Sequence, residues 1–311
     1  MNLKEVRQLV FKGGGAKGLA YLGALVELEK HVPLSQIESF AGTSAGAITA
    51  MLLAFGKTTH QLTAITTSIK WSEWLDDEFG VVRDLHNLRT QLGWCRSEVP
   101  KKWIRQQVQN FFEYEDATFH DLQEKTGVNL VVCAFNVSRG IPVYFGHDPL
   151  TRDVPIWKAV LASMSIPMVW EPVEIMGDQY CDGGGADNFP IHLWDTPTFI
   201  NPTTLGFWVD DAKRIQWMQD RVWPPSQGIE KNIVKYALRL VTGVTNAEAF
   251  QHVIEGRDKF RTVYIDTETE TLDLDLSQDE IKDMIEDGKR GFGRFLVRNS
   301  TPDILSIDPF Q

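Results

Sequence analysis

Cysteine is scarce in this chain of 311 residues: Cys95, Cys133 and Cys181 lie far apart, with no C-x-x-C pair. That excludes a disulfide framework and a cysteine zinc site, and it suits a reducing cytosol. Long apolar runs are missing too. The longest, "AGAITAMLLAFG" at 45–56, falls short of the about 20 residues that span a bilayer. The opening "MNLKEVRQLVFKGGG" lacks the basic and apolar regions of a signal peptide. Together these predict a cytoplasmic protein without a transmembrane segment. Positive charge is in deficit, with 31 Lys and Arg against 42 Asp and Glu and a net charge of -11. Nucleic acid is thereby excluded as a partner, because phosphate backbones need clustered cations. An electrostatic grip on anionic lipid is excluded as well, so any membrane contact has to be local and apolar. Repeats, low-complexity tracts and an EF-hand calcium loop are all missing. None of the seven histidines sits in a loop that reads as catalytic. His192, in "NFPIHLW", comes nearest, followed by His252, and a lone histidine is more often structural.

The remainder is ordinary for a folded chain, at 43% hydrophobic and 23% charged. Strand-like "RQLVFKG" (7–13) leads through glycines into the helical pattern 18–30. A second strand (37–42) leads through a sharp turn into a second helix (45–56). This opening predicts an α/β fold with three layers, α/β/α, and a mostly parallel central sheet. Segment 68–116 reads as helices and loops with four tryptophans, Trp71, Trp74, Trp94 and Trp103. They either pack in the core, the favoured reading, or dip into a lipid interface. Strands follow at 129–137 and 141–146, joined as a hairpin. A helix at 154–165 stops before Pro167, a strand pair flanks Gly177-Asp178, and a further strand lies at 204–209. "WPPSQG" (223–228) marks a break. Helical patterns at 229–243 and 245–259, a strand at 262–267 and a helix at 278–298 complete the chain. Ser277 and Glu280 form a capping box for that last helix. The late strand favours one domain over 1–311, with a core at about 5–210 and an extension at about 225–300.

Three stretches carry chemistry. Gly13-Gly14-Gly15-Ala16-Lys17-Gly18 lies between a strand and a helix. Backbone amides there can hold an anion, either a phosphate or the oxyanion of an acyl-transfer intermediate. One oxyanion donor is worth roughly 3–4 kcal/mol of barrier. The candidate donors are Gly13, Gly14, Gly15 and Ala16. Lys17 reads as a solvated lysine at a helix start, with contact to a lipid phosphate as the alternative. Ser44 sits in G-x-S-x-G between Gly42 and Gly46, after a strand and before a helix, as a nucleophile elbow requires. The third stretch, Asp182-Gly183-Gly184-Gly185, puts a carboxylate at a strand end beside unobstructing glycines. Asp-Gly is also a hairpin signal.

These stretches, in this order, resemble the patatin-like phospholipases. That family joins a glycine-rich oxyanion loop, a G-x-S-x-G serine and a D-G-G or D-G-A aspartate. "AVLASMSIPMVWEPV" (159–173) is similar to its A-S-x-x-x-P helix end, and "DGGGADNFP" (182–190) to its D-G-G-x-x-D-N-x-P. The resemblance implies that Asp182 activates Ser44 directly, as a dyad without histidine, with Gly18, Gly42, Gly46, Gly183 and Gly184 as supporting motif residues. It implies hydrolysis of lipid esters in membranes or micelles, with no metal or other cofactor and with peripheral membrane contact. Gly185 stands where a larger apolar residue is more usual.

A dinucleotide site competes, because Gly13, Gly15 and Gly18 also satisfy G-x-G-x-x-G. Its ribose-gripping acid would be Glu38, which lies at the start of the second strand instead of closing its end. That reading leaves Ser44 and Asp182 unexplained.

Overall fold

A computed structural model describes residues 1–75, 93–95, 97–220, 228, 256, 258–269, 271 and 273–300, with backbone alone at 75, 93, 94 and 217–220. The break at 223–227 and the helical patterns over 229–255 lie outside the described residues. Strands β1 (Gln8–Phe11), β2 (Ser39–Thr43), β4 (Asn129–Asn136), β9 (Thr204–Asp210) and β10 (Thr262–Asp266) run parallel in the order β10-β9-β1-β2-β4. Beyond them β8 (Asp178–Asp182) and β7 (Val173–Ile175) continue the sheet antiparallel, and β5 (Ile141–Phe145) pairs with β4 as the expected hairpin. A separate short pair joins β3 (Gly93–Cys95) to β6 (Met168–Trp170). Thus the 68–116 stretch, read as helices and loops, also carries a strand. Three residues are too few for a periodic signal.

Apolar residues run without polar interruption through β1, β9 and β10 because both faces of the sheet are buried. Leu9, Phe11, Phe40, Val132, Phe207 and Ile265 face one side and join the main core. Helices α1 (Tyr21–Glu29), α2 (Ala45–Ala54), α6 (Ile156–Met164) and α8 (Gln278–Ser300) contribute to it. Val10, Ala41, Val131, Trp208 and Tyr264 face the other side, beneath Phe189, Ile191 and Ile215 of α7 (Ala212–Asp220). Helix α2 is apolar all round and lies against β2 and β4, so nearly every residue of it is buried. Among the described residues, no helix is long and apolar enough to cross a membrane.

Three helices were not anticipated: α3 (Thr59–Thr67), α5 (Phe119–Thr126) and α7. The first two carry full capping boxes, Thr58 with Gln61 and Thr118 with Asp121. Those spacings could have revealed them. Helix α4 (Glu98–Phe112) lies within the mixed 68–116 stretch and packs on α6. Ser277 caps α8 as expected, its amide donating to Glu280 at 2.7 Å.

Helices α1 and α8 cross at two glycines. A Cβ on Gly288 would sit 1.9 Å from the Ala20 carbonyl oxygen, and one on Gly23 1.8 Å from that of Ile285. Gly288→Ala therefore has to push the helices apart. We expect it to lose about 2 kcal/mol in chemical denaturation. Gly293→Ala on the same helix meets nothing within 4 Å and should be neutral or slightly stabilising. Equal melting of the two variants would refute the close crossing.

Candidate active site

One edge of β4 brings the site together. Its first half pairs with β2, where Thr43 lies opposite Cys133. Its second half pairs with β8, where Asp182 lies opposite Ala134. β5 occupies residues 132–136 and overlaps both partners, so it must use the other edge. β2 and β8 therefore meet end to end, and the residues at their ends occupy adjacent rungs. Ser44 follows β2 and Asp182 ends β8, and the Ser44 hydroxyl lies near enough to the Asp182 carboxylate to favour its charged form.

Ser44 holds φ 55° and ψ -125°, a left-handed conformation unfavourable for a non-glycine residue. The surroundings enforce it. Its amide donates to Ser163 Oγ at 2.9 Å, and Ser163 Oγ donates to the Cys133 carbonyl at 2.5 Å. The elbow also needs its glycines. A Cβ on Gly46 would lie 2.2 Å from the Phe11 carbonyl, and one on Gly42 2.3 Å from the Gly46 backbone. Gly18 approaches the Ala45 side chain closely, and Gly183 lies against the Cys133 carbonyl.

Asp182 is only 7% exposed. Its amide donates to the Ser165 carbonyl at 2.8 Å, and Gly184 donates its amide to Asp182 Oδ1 at 2.7 Å. Helix α6 and the residue after it thus anchor both chemical groups, through Ser163 and Ser165. Burial raises the Asp182 pKa to about 6, and the bonds from Ser44 and Gly184 limit the rise. The neighbouring Cys181 thiol is pushed up to about 12, again by burial, and stays protonated. None of the three cysteines forms a disulfide.

The glycine loop differs in detail from expectation. Gly13 donates its amide to the Asn188 carbonyl at 3.0 Å, and Ala16 donates to the Thr271 carbonyl at 3.0 Å. Both amides are committed, so neither is an available donor. Among the described residues the amides of Gly14 and Gly15 make no hydrogen bond. Ser44 opens onto two cavities that meet at Gly15, Ser44, Ile166 and Thr271. One is apolar, about 700 Å³ with its mouth included, and is walled by Leu19, Ile48, Trp71, Trp74, Met164 and Trp170. The other, about 600 Å³, has the charged residues Asp182, Lys12, Lys17, Asp210 and Arg214 in its lining.

Residues 9–194 match the family Patatin-like phospholipase. The chain belongs to the patatin-like phospholipase family. Relatives include the probable lipid hydrolase 463L of Invertebrate iridescent virus 6, 30% identical over 61% of this chain and 63% of that protein. A cGAMP-activated phospholipase of Escherichia coli is 29% identical over 61% of this chain and 54% of its own length. The matched region thus spans less than two thirds of these relatives. VipD of Legionella pneumophila shares the fold, with a TM-score of 0.60 at 17% identity, covering 95% of this chain and 67% of VipD. ExoU of Pseudomonas aeruginosa, solved with SpcU, aligns at a TM-score of 0.54 over 96% of this chain and 53% of its own.

Other expectations resolve against this frame. Lys17, read as solvated, is 6% exposed and lies 3.9 Å from Asp210. The loop folds back on β9, and the end of β9 supplies the buried carboxylate. Trp74 meets Trp71 and Trp103 in tilted ring pairs, and all three pack with the main core, in line with the favoured reading. The Trp94 side chain lies outside the described residues, as does His252. His192 stands over the second face of the sheet, edge-on to Tyr144. Glu38 immediately precedes β2 and pairs with Arg7 at 3.6 Å, at the opposite end of the strand from the glycine loop. It cannot close a ribose site there. Gly185 lines the second cavity, which carries the charged residues, and a side chain there would meet nothing within 4 Å. The third glycine keeps that cavity open.

The buried carboxylate sets a stability prediction. A carboxyl group with a raised folded pKa binds its proton more tightly when folded. Stability is therefore highest below the unfolded value, 3.8, and falls as pH rises toward about 6. The loss above that pH is about 3 kcal/mol at most. We expect Asp182→Asn to melt above wild type at pH 8, with the gap closing below about pH 4. A variant that melts lower at pH 8 would show the carboxylate to be stabilising.

Proposed function

We propose that the chain is a serine lipid acyl hydrolase of phospholipase A type, working through a Ser44–Asp182 dyad. The observation that carries this is the approach of the strained Ser44 hydroxyl to a buried carboxylate of raised pKa. Ser44 Oγ attacks the ester carbonyl carbon, and its proton moves to Asp182. An aspartate of ordinary pKa would be a weak base at neutral pH, and burial moves it toward useful strength. The amides of Gly14 and Gly15, with that of Ala45 after the nucleophile, receive the oxyanion. Asp182 then protonates the departing alcohol. Water attacks the acyl-enzyme, returning a proton through Asp182 to Ser44.

The apolar cavity beside Ser44 suits an acyl chain, which buries its methylenes there at about 0.8 kcal/mol each. Two relatives are named for lipid or phospholipid hydrolysis, which supports the same reading. The substrate reaches the site from a membrane or micelle, by peripheral contact.

Ser44→Ala and Asp182→Asn should each lower hydrolysis of p-nitrophenyl butyrate by about a thousandfold or more, with the fold retained by circular dichroism. An Asp182→Asn enzyme that keeps most of its rate would exclude the dyad. Because Asp182 must be ionised to accept the proton, kcat/KM should fall below about pH 6 with a slope of one on logarithmic axes. The same acidic limb in the residual activity of Asp182→Asn would assign it to another group.

A further inference from the structure

Among the described residues, large apolar side chains are exposed at scattered points, but three of them sit on two hairpins that touch. Val137 and Ile141 flank the tip of the β4–β5 hairpin, each 48% exposed, and Met176 lies at the tip of the β7–β8 hairpin, 76% exposed. The tips are joined as one unit. The Val137 amide donates to the Gln179 carbonyl at 2.8 Å, and the Gln179 amide donates to Ser138 Oγ at 2.9 Å. The Asp178 carboxylate accepts from Asn136 Nδ2 at 3.0 Å and from Arg139 Nε. That ion pair cancels the two charges of the tips. β4 passes the rung of Thr43 at Cys133 and stays paired with β8 up to Asn136. At about 3.3 Å per residue, Val137 stands about 13 Å beyond that rung. The tips thus project from the end of the sheet at which Ser44 lies. β8 starts at one tip and ends on Asp182, so the projection and the reactive carboxylate share a strand. Met176 and Gly177 form the turn between Ile175 and Asp178, with φ 53° and 82°. Such turns favour Asn or Asp before Gly, because those residues tolerate the left-handed region. A methionine there suits the turn less well and leaves its apolar side chain in water. A position that breaks a local rule without a packing gain points to function.

We propose that the joined tips of the β4–β5 and β7–β8 hairpins are the surface by which the chain docks on a lipid bilayer, with Val137, Ile141 and Met176 entering the headgroup layer. The inference rests on the acyl-hydrolase reading and assigns the membrane to one end of the sheet. Charge favours this occupant. With a net charge of -11 the chain gains no general attraction to anionic lipid, so its hold has to be local and apolar. Apolar side chains on a projection of cancelled charge supply such a hold. Apolar groups at an interface sink about 5–10 Å into the boundary between headgroups and acyl chains. That depth takes up most of the distance from the tips back to the rung of Thr43, and brings Ser44 close to the bilayer surface. Trp170, a wall of the apolar cavity, stands just before β7, so the docking hairpin and the acyl-chain cavity are continuous along the chain.

Partition onto vesicles tests this. Full-length protein is sedimented with vesicles of a dialkyl ether phosphatidylcholine, which carries no net charge and offers no ester to cleave. Hydrolysis of p-nitrophenyl butyrate in solution reports the state of the site. Met176→Asn should lower the partition coefficient about tenfold, and adding Val137→Thr and Ile141→Thr should lower it further. Threonine keeps the β-branched shape that strands favour, and asparagine suits the turn, so melting and p-nitrophenyl butyrate hydrolysis should hold. Leu150→Gln is the control. Leu150 is 81% exposed, but β5 carries the chain back toward the other end of the sheet before reaching it, so partition should not change. Molar salt should leave wild-type binding in place. A wild type that does not sediment with the vesicles overturns the docking surface. So does an unchanged partition in the triple variant, an equal loss in Leu150→Gln, or binding that salt removes. Should the triple variant lose self-association in ultracentrifugation with its vesicle partition unmoved, the tips serve a protein contact and the membrane assignment falls. A chain that partitions through the tips yet cleaves no ester loses the acyl-hydrolase reading alone. One that cleaves p-nitrophenyl butyrate with partition unmoved in the triple variant loses the docking surface alone.

Discussion

The approach of the Ser44 hydroxyl to the Asp182 carboxylate depends on a sharing of one strand edge. β4 gives its first residues to β2 and its last to β8, so the two strand ends abut at Thr43 and Asp182. Neighbouring rungs leave little freedom in the separation of the residues that follow. Helix α6 then fixes what remains, with Ser163 holding the Ser44 amide and the Ser165 carbonyl holding that of Asp182. A local element thus positions two groups that are far apart in the chain.

This arrangement concentrates unfavourable local choices in one place. Ser44 has a strained backbone, and Asp182 is buried with a raised pKa. Each opposes folding on its own. They persist because the sheet is buried on both faces and α1, α2, α6 and α8 lock around it. The close crossing of α1 and α8 at Gly23 and Gly288 belongs to that framework. Strain and desolvation at the site are supported by packing elsewhere, the usual relation between a reactive centre and its scaffold.

Much of the fold was legible because its signals are local. Strands β1, β2, β4, β5 and β9, helices α1, α2 and α6 and the cap of α8 all fall where periodicity, glycine turns and capping residues put them. The candidate site was legible for a related reason. A strand, a glycine-flanked serine and a helix form one continuous segment, and chemistry carried by so short a segment leaves a motif. The short strand β3 was not legible, because its pairing with β6 is a contact at long range. Helices α3 and α5 begin at capping boxes, signals as local as the glycine turns.

The sequence by itself determined the elbow at Ser44, the glycine loop, the aspartate at a strand end and their order along the chain. These are set by backbone preferences acting over a few residues. Tertiary structure alone decided which amides of the loop are spoken for, since the partners of Gly13 and Ala16 are Asn188 and Thr271, remote in sequence. It alone decided that Lys17 is buried against Asp210 instead of solvated. It also decided that the pKa of Asp182 rises, because desolvation is a property of everything packed around a group and no short stretch of residues encodes it.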